Sequence, residues 1–246
     1  MDYMFKDCTG LKSVNIGDNI TEFGEYAFHQ CTFLTSIVIP SQVTDLGSSF
    51  WGCGRLEYLR FLAAVAPSFK NNIFYGTKLT QIEVPIGSFD SYDTGGSQYF
   101  NIAGNGKYGQ LDIVEVDVVV TPPPPPPPPL IGEQDLLFIV DTTVSLGIVV
   151  VLDPFLRYDC EINWGDGSDI ERFVGYASEI SHLFPYAGSV YEQTYGRIQV
   201  RVSGTCPKFG LEGQQMVASV ENLGNVGLQM DYMFKDCTGL KSVNIG

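Results

Sequence analysis

The residues able to do chemistry are few in kind: two histidines, His29 and His182, and six cysteines, Cys8, Cys31, Cys53, Cys160, Cys206 and Cys237, set among 28 acidic residues. Nucleophilic catalysis needs a Ser or Cys beside a histidine, and an acid to orient that histidine. His29 and His182 fall in stretches of different pattern, so no such set forms and no catalytic residue or cofactor is assigned. Carboxylates are too numerous to single out a glycosidase pair. The glycines of GGSQYFNIAGNG lack the strand-to-helix setting and the Lys of a phosphate loop. Asp159, Asp166 and Asp169 are the candidates for a Ca2+ site, weighed against aspartates that order their own turn. Asn19-Ile20-Thr21 is a glycosylation sequon, and His29 in AFHQC is expected at a variable, outward position.

The elements that position these groups follow from periodicity. Leu-led alternating runs recur every 22 to 24 residues: Leu11, Val14, Ile16; Leu34, Ile37, Ile39; Leu56, Leu59, Phe61; Leu79, Ile82, Val84. Such spacing predicts short strands with one apolar face. Each run is accompanied by a compact apolar knob: Phe5 with Cys8, Phe28 with Cys31, Phe50 with Cys53, Phe74 with Thr77. One unit cannot cover its own apolar face, so neighbours must stack on it, which predicts a solenoid. The cysteine column is then expected to fill the core with small thiols, without metal.

The units LKSVNIGDNITEFGEYAFHQCTF and LTSIVIPSQVTDLGSSFWGCGR resemble BspA-type leucine-rich repeats, LxxVxIPxxVxxIGxxAFxxCxx, with Thr77 where that pattern has Cys. The resemblance implies an extracellular or surface-exposed binding and scaffold role. Met216 to Gly239 reads as a divergent first coil. Between them, short alternating runs at 136–140, 147–152, 158–164, 180–184 and 197–202, parted by Asp, Gly and Pro turns, predict an all-β sandwich. There the CEINWGDGSDIE stretch resembles the PKD-type immunoglobulin-like domain. His182 stands at its HxY element, altered here to HLF, and family position makes it a hydrogen-bonded core residue. Cys160 and Cys206 flank this module; spacing alone does not establish that they meet.

Residues 122–129 are eight consecutive prolines, expected as a polyproline II rod of about 25 Å holding two domains apart. The seventeen residues Met1 to Gly17 return as Met230 to Gly246, so the pattern runs from Gly246 into Asp18 as though the chain were one period of an array. The expected organisation is a mainly β protein. Residues 1–121 form a leucine-rich-repeat solenoid with its C-terminal segment, 122–129 a linker, 130–205 a PKD-like β-sandwich, and 206–246 the first coils of a further repeat unit, in which 230–246 duplicate 1–17. A formal charge of −14 repels phosphate backbones and argues against nucleic acid, and the apolar stretch 136–152 is broken by Asp141, Thr142, Thr143 and Ser145, short of a membrane span. The expected function is a non-enzymatic extracellular or cell-surface structural protein, one repeat of a fibre or stalk, with copies of itself end to end as partners. Any adhesive function is expected on the lateral face of the solenoid, through exposed residues such as Tyr26, Trp51 and Tyr75. The alternatives are a monomeric adhesin or phage-fibre module that binds a glycan or host surface protein, and the accessory region of a secreted hydrolase.

Overall fold

A computed structural model of the 246-residue chain describes residues 1–70, 73–93, 101–102, 109–117, 135–142, 144–145, 147–184, 197–223 and 230–245. The strands of the first half are β1 (Ser13–Asn15), β2 (Ser36–Ile39), β3 (Tyr58–Phe61), β4 (Gln81–Pro85), β5 (Asn101–Ile102), β6 (Gly109–Gln110) and β7 (Asp112–Val116). A single helical turn, α1 (Phe89–Tyr92), follows β4. The second half carries β8 (Leu136–Asp141), β9 (Gly147–Val151), β10 (Tyr158–Asn163), β11 (Glu171–Gly175), β12 (Glu179–Leu183), β13 (Arg197–Thr205), β14 (Val217–Asn222) and β15 (Ser242–Asn244). The fold is mainly β.

The Leu-led runs are strands as their alternation requires. β2, β3, β4 and β7 lie side by side and parallel, with Ile37 opposite Leu59 and Ile82 opposite Ile113. Along them Leu34, Ile37, Ile39, Leu56, Leu59, Phe61, Leu79, Ile82 and Val84 are all buried. The knobs stack as well. Phe234, Phe5, Phe28, Phe50 and Phe74 form one column of near-parallel rings, with centroids 5.6, 5.3, 5.7 and 6.2 Å apart. Two residues after each of these rings the backbone turns into the left-handed region, at Asp7, Gln30, Gly52, Gly76 and Asp236.

The other half is antiparallel. β8, β13, β10 and β11 form one sheet, with β13 between β8 and β10, and β9 pairs with β12. Trp164, at the end of β10, stacks on His182 of β12 at 4.4 Å and 8°, so the two sheets meet through these rings. β11 escapes the alternation rule because ERFVG is solvated along most of its length. It is an edge strand held by its ladder to β10, from Tyr158 opposite Gly175 to Ile162 opposite Glu171.

Both halves share one sheet. β14 pairs antiparallel with β8 on one side and parallel with β15 on the other, and β15 pairs parallel with β1. The spatial order is therefore β11, β10, β13, β8, β14, β15 and β1, and then the coils of β2, β3, β4 and β7. The duplicated segments 1–17 and 230–246 predict a junction between one copy and the next. Instead each covers the other within one chain. The expected proline rod lies outside the described residues. The described positions on either side of it, at the ends of β7 and β8, stand at opposite ends of the stack, seven strand-to-strand steps apart.

Candidate functional site

The step between the duplicated segments is built like any other step of the stack. Ser13, Val14 and Asn15 lie opposite Ser242, Val243 and Asn244, a register equal to the offset of the duplication. Tyr232, Phe234 and Asp236 donate their amides to the carbonyls of Asp2, Met4 and Lys6 at 2.9, 2.9 and 2.8 Å. One coil on, Tyr3, Phe5 and Asp7 donate to Glu25, Ala27 and His29, each at 2.8 Å. Identical side chains form ladders across the junction, with the Asn15 amide donating to Asn244 Oδ1 at 2.9 Å. Stacking a segment on its own copy also sets like charges together. The repulsion is offset locally, because Lys6 pairs with Asp7 at 3.0 Å and Lys235 with Asp236 at 2.9 Å. Gly10 fixes the approach, since a Cβ there would stand 2.2 Å from the Thr238 carbonyl.

An aromatic ridge runs along the side of this stack. Tyr232 stacks on Tyr3 at 4.8 Å and 8°, and Tyr3 on Tyr26 at 5.3 Å. His29 follows, edge-on to Tyr26 and 4.5 Å from Trp51, and Tyr75 closes the row 5.7 Å from Trp51. Trp51, Tyr75 and Tyr232 are exposed, as expected for Trp51 and Tyr75, whereas Tyr26 is half-buried. His29 departs from the outward position read from sequence. It is buried between the Tyr26 and Trp51 rings, and its Nδ1 has no hydrogen-bond partner among the described residues. Burial pushes its imidazole below the ordinary value, more than the nearby Asp7 carboxylate restores. The near-parallel tyrosines cover one another's faces and present their edges, while the tilted Trp51 and Tyr75 leave more ring face open, a surface suited to stacking an apolar or sugar face.

The thiols of the knobs are donors. Cys237, Cys8, Cys31 and Cys53 each donate Sγ–H to the carbonyl of the preceding coil, on Leu211, Phe234, Phe5 and Phe28, at 2.9, 2.9, 3.1 and 3.1 Å. Thr77 ends the column differently, donating its hydroxyl to Phe74 of its own coil at 2.8 Å. Burial pushes these thiols up, to about 12 for Cys53 and Cys237, which disfavours the reactive thiolate.

The three aspartate candidates do not converge. Asp166 Oδ1 accepts the amide and hydroxyl of Ser168, at 3.0 and 2.6 Å, and Oδ2 meets His182 Nε2 at 2.7 Å. Burial alone would raise this carboxyl, but Ser168 and His182 outweigh it and hold it below its ordinary range. Asp159 faces Arg172 at 3.5 Å from β10, and among the described residues no group of three or more His, Cys, Asp or Glu side chains could hold a metal ion. Asp166 is therefore an aspartate that orders its own turn. His182 is the hydrogen-bonded, largely buried residue its sequence position implied. Gly165 lets the turn close, since a Cβ there would stand 2.1 Å from the Gln199 carbonyl.

Residues 1–97 match the BspA type Leucine rich repeat region, in six copies. No curated protein and no solved structure is significantly similar to the chain. Among the described residues no helix is long and apolar enough to cross a membrane.

Proposed function

Because residues 1–97 are BspA-type leucine-rich repeats, a surface and adhesion type of repeat, we propose that this protein is a non-enzymatic, surface-exposed scaffold whose copies join end to end. The observation that carries this reading is the step between residues 1–17 and 230–245, which reproduces an ordinary coil-on-coil contact with identical residues. Nothing in that contact requires both partners to belong to one chain. If 230–245 of one molecule stacks on 1–17 of the next, every hydrogen bond and ring contact of the step is kept, and an open, head-to-tail series results.

The choice between the closed chain and the open series is set by effective concentration. Closure requires the segment between β7 and β8 to reach along the stack. Seven steps of about 4.8 Å span about 34 Å, within the upper limit of about 65 Å that any 19 residues, the number between Val116 and Leu136, could span if fully extended. The closed form is accessible, with an effective concentration of about millimolar. Free chains at micromolar concentration are closed, and chains crowded on a surface exchange partners.

Cross-linking through cysteines placed at Asn15 and Asn244 separates the two forms. The N15C/N244C protein, oxidised at micromolar concentration, should give cross-linked monomer, and at several millimolar a ladder of multimers on a non-reducing gel. Cross-linked monomer alone at every concentration would refute end-to-end joining. That outcome would leave the second reading, a single-molecule adhesin, which the exposed Trp51, Tyr75 and Tyr232 of the ridge favour; its ligand class is a glycan or a host surface protein.

A further inference from the structure

Cys160 and Cys206 stand apart from the thiol column. In the ladder between β10 and β13, Cys160 lies opposite Gly204, and Cys206 comes two residues further along the same chain direction, on the same face. The approach is close because Gly204 lacks a side chain. A Cβ there would stand 2.6 Å from the Asp159 carbonyl and 3.2 Å from the Cys160 Cα, and the backbone of Gly204 is left-handed, at φ +87°. Both thiols are buried and close enough to influence each other electrostatically, and Cys206 Sγ lies 3.9 Å from the Lys208 carbonyl. The remaining cysteines are each occupied by a carbonyl of the neighbouring coil.

From this placement we infer that Cys160 and Cys206 are the chain's disulfide site, and that the four cysteines of the column remain thiols. Diagonal positions on one face of a regular strand pair stand just beyond the separation a disulfide spans, so the bond requires the closer approach of backbone that Gly204 permits at the end of β13. The bond forms while the chain folds, before burial closes off the pair. One thiolate attacks a sulfur of an external disulfide, such as that of a thiol–disulfide oxidoreductase or oxidised glutathione. The second thiolate then displaces the reduced carrier, so that the two cysteines lose two electrons and two protons and the carrier gains them as thiols. The crosslink closes the chain from 160 to 206, with Trp164, Asp166 and His182 inside the loop. It acts by restricting the unfolded chain.

The test does not depend on where the protein resides. The full chain, denatured and reduced, is refolded in a glutathione redox buffer, free thiols are alkylated under denaturing conditions, and the protein is digested without reduction. The expected result is one linked peptide pair, Cys160 with Cys206, a mass 2 Da below the reduced protein before alkylation, and alkylated Cys8, Cys31, Cys53 and Cys237. Recovery of six alkylated cysteines, or of any linked pair that includes a column cysteine in place of this one, would overturn the inference. Thermal unfolding supplies a second readout. The oxidised chain should melt roughly 10 °C above the same protein kept in reductant, a difference that disappears in Cys160→Ala and Cys206→Ala. An equal melting temperature in both conditions would refute the bond even if either variant folds poorly.

Discussion

Truncating Phe28 to alanine tests whether the ring column is the core of the stack. Phe28 is fully buried and touches three other rings, Phe5 at 5.3 Å, Phe50 at 5.7 Å and Phe23 edge-on at 5.5 Å. A buried phenylalanine ring removes about 200 Å2 from water, which at about 25 cal/mol per Å2 is worth about 5 kcal/mol as an upper bound. The methyl left by alanine recovers part of that, and the cavity between Phe5 and Phe50 adds to the cost, so the expected loss is about 4 kcal/mol. Against a total of about 5 to 15 kcal/mol this is severe. Phe28→Leu, which keeps most of the volume but not the ring stacking, should lose about 1.5 kcal/mol. Urea unfolding followed by tryptophan fluorescence reads the effect in both halves at once, because Trp51 lies among the coils and Trp164 in the antiparallel part. Single-tryptophan versions made by Trp→Phe replacement separate the two signals. Both transitions should move together, since β14 joins β8 to β15 in one sheet. A loss below about 1.5 kcal/mol for Phe28→Ala would refute the column as the core, and a shift of the Trp51 signal alone would refute the joint unfolding of the two halves.

Other outcomes follow from the same geometry. His29 is held neutral by burial, so the unfolded chain binds its proton more readily; stability should fall as pH drops below about 6.5, and His29→Phe should remove that part of a pH-dependent melting curve. Asp166 has the depressed value of a hydrogen-bonded carboxylate, so its contribution is complete above about 4 and is lost at lower pH; Asp166→Asn should flatten that acid limb. Gly165→Ala combines a left-handed φ of +74° with a Cβ 2.1 Å from a backbone carbonyl, and should cost about 3 kcal/mol or more, seen as loss of soluble folded protein. In the native state at pH 8, Cys31 and Cys53 should resist iodoacetamide until denaturant is added, because burial raises both thiols; rapid labelling of either would contradict the packing of the column.

Much of the arrangement could be read in the sequence because the repeats advertise it. The leucine-led runs from Leu34 to Val84 become strands with those residues inside, since a period of two with one buried face leaves few other solutions. The CEINWGDGSDIE stretch was equally legible as a distinctive element, because Gly165 and Gly167 take left-handed backbone angles at which few other residues serve. β11 was not, because Phe173 is the one large apolar residue of ERFVG that packs inward, too little for an alternation to show. His29 was misplaced for a related reason: position within the repeat suggests solvent, but Trp51 of the next coil reaches over it. Sequence likewise could not show that the duplicated segments meet, or that Cys160 and Cys206 fall at diagonal positions of one strand pair. Both depend on contacts between residues far apart in the chain, which no local pattern encodes.

The sheet shared by β8 and β14 has a consequence for growth. A pile of parallel strands invites accretion at any bare rim, where unpaired amides and carbonyls can recruit foreign chains. Here one rim is welded shut, because β8 lies antiparallel across β14 and turns the pile into an ordinary sheet. At the other rim β7 displays Asp112 and Glu115 to solvent, and their negative charge discourages a second acidic molecule from docking there. The acidic rim at β7 thereby opposes growth at that end, and the proposed joining of copies is left to the interior seam, where a matching segment fits.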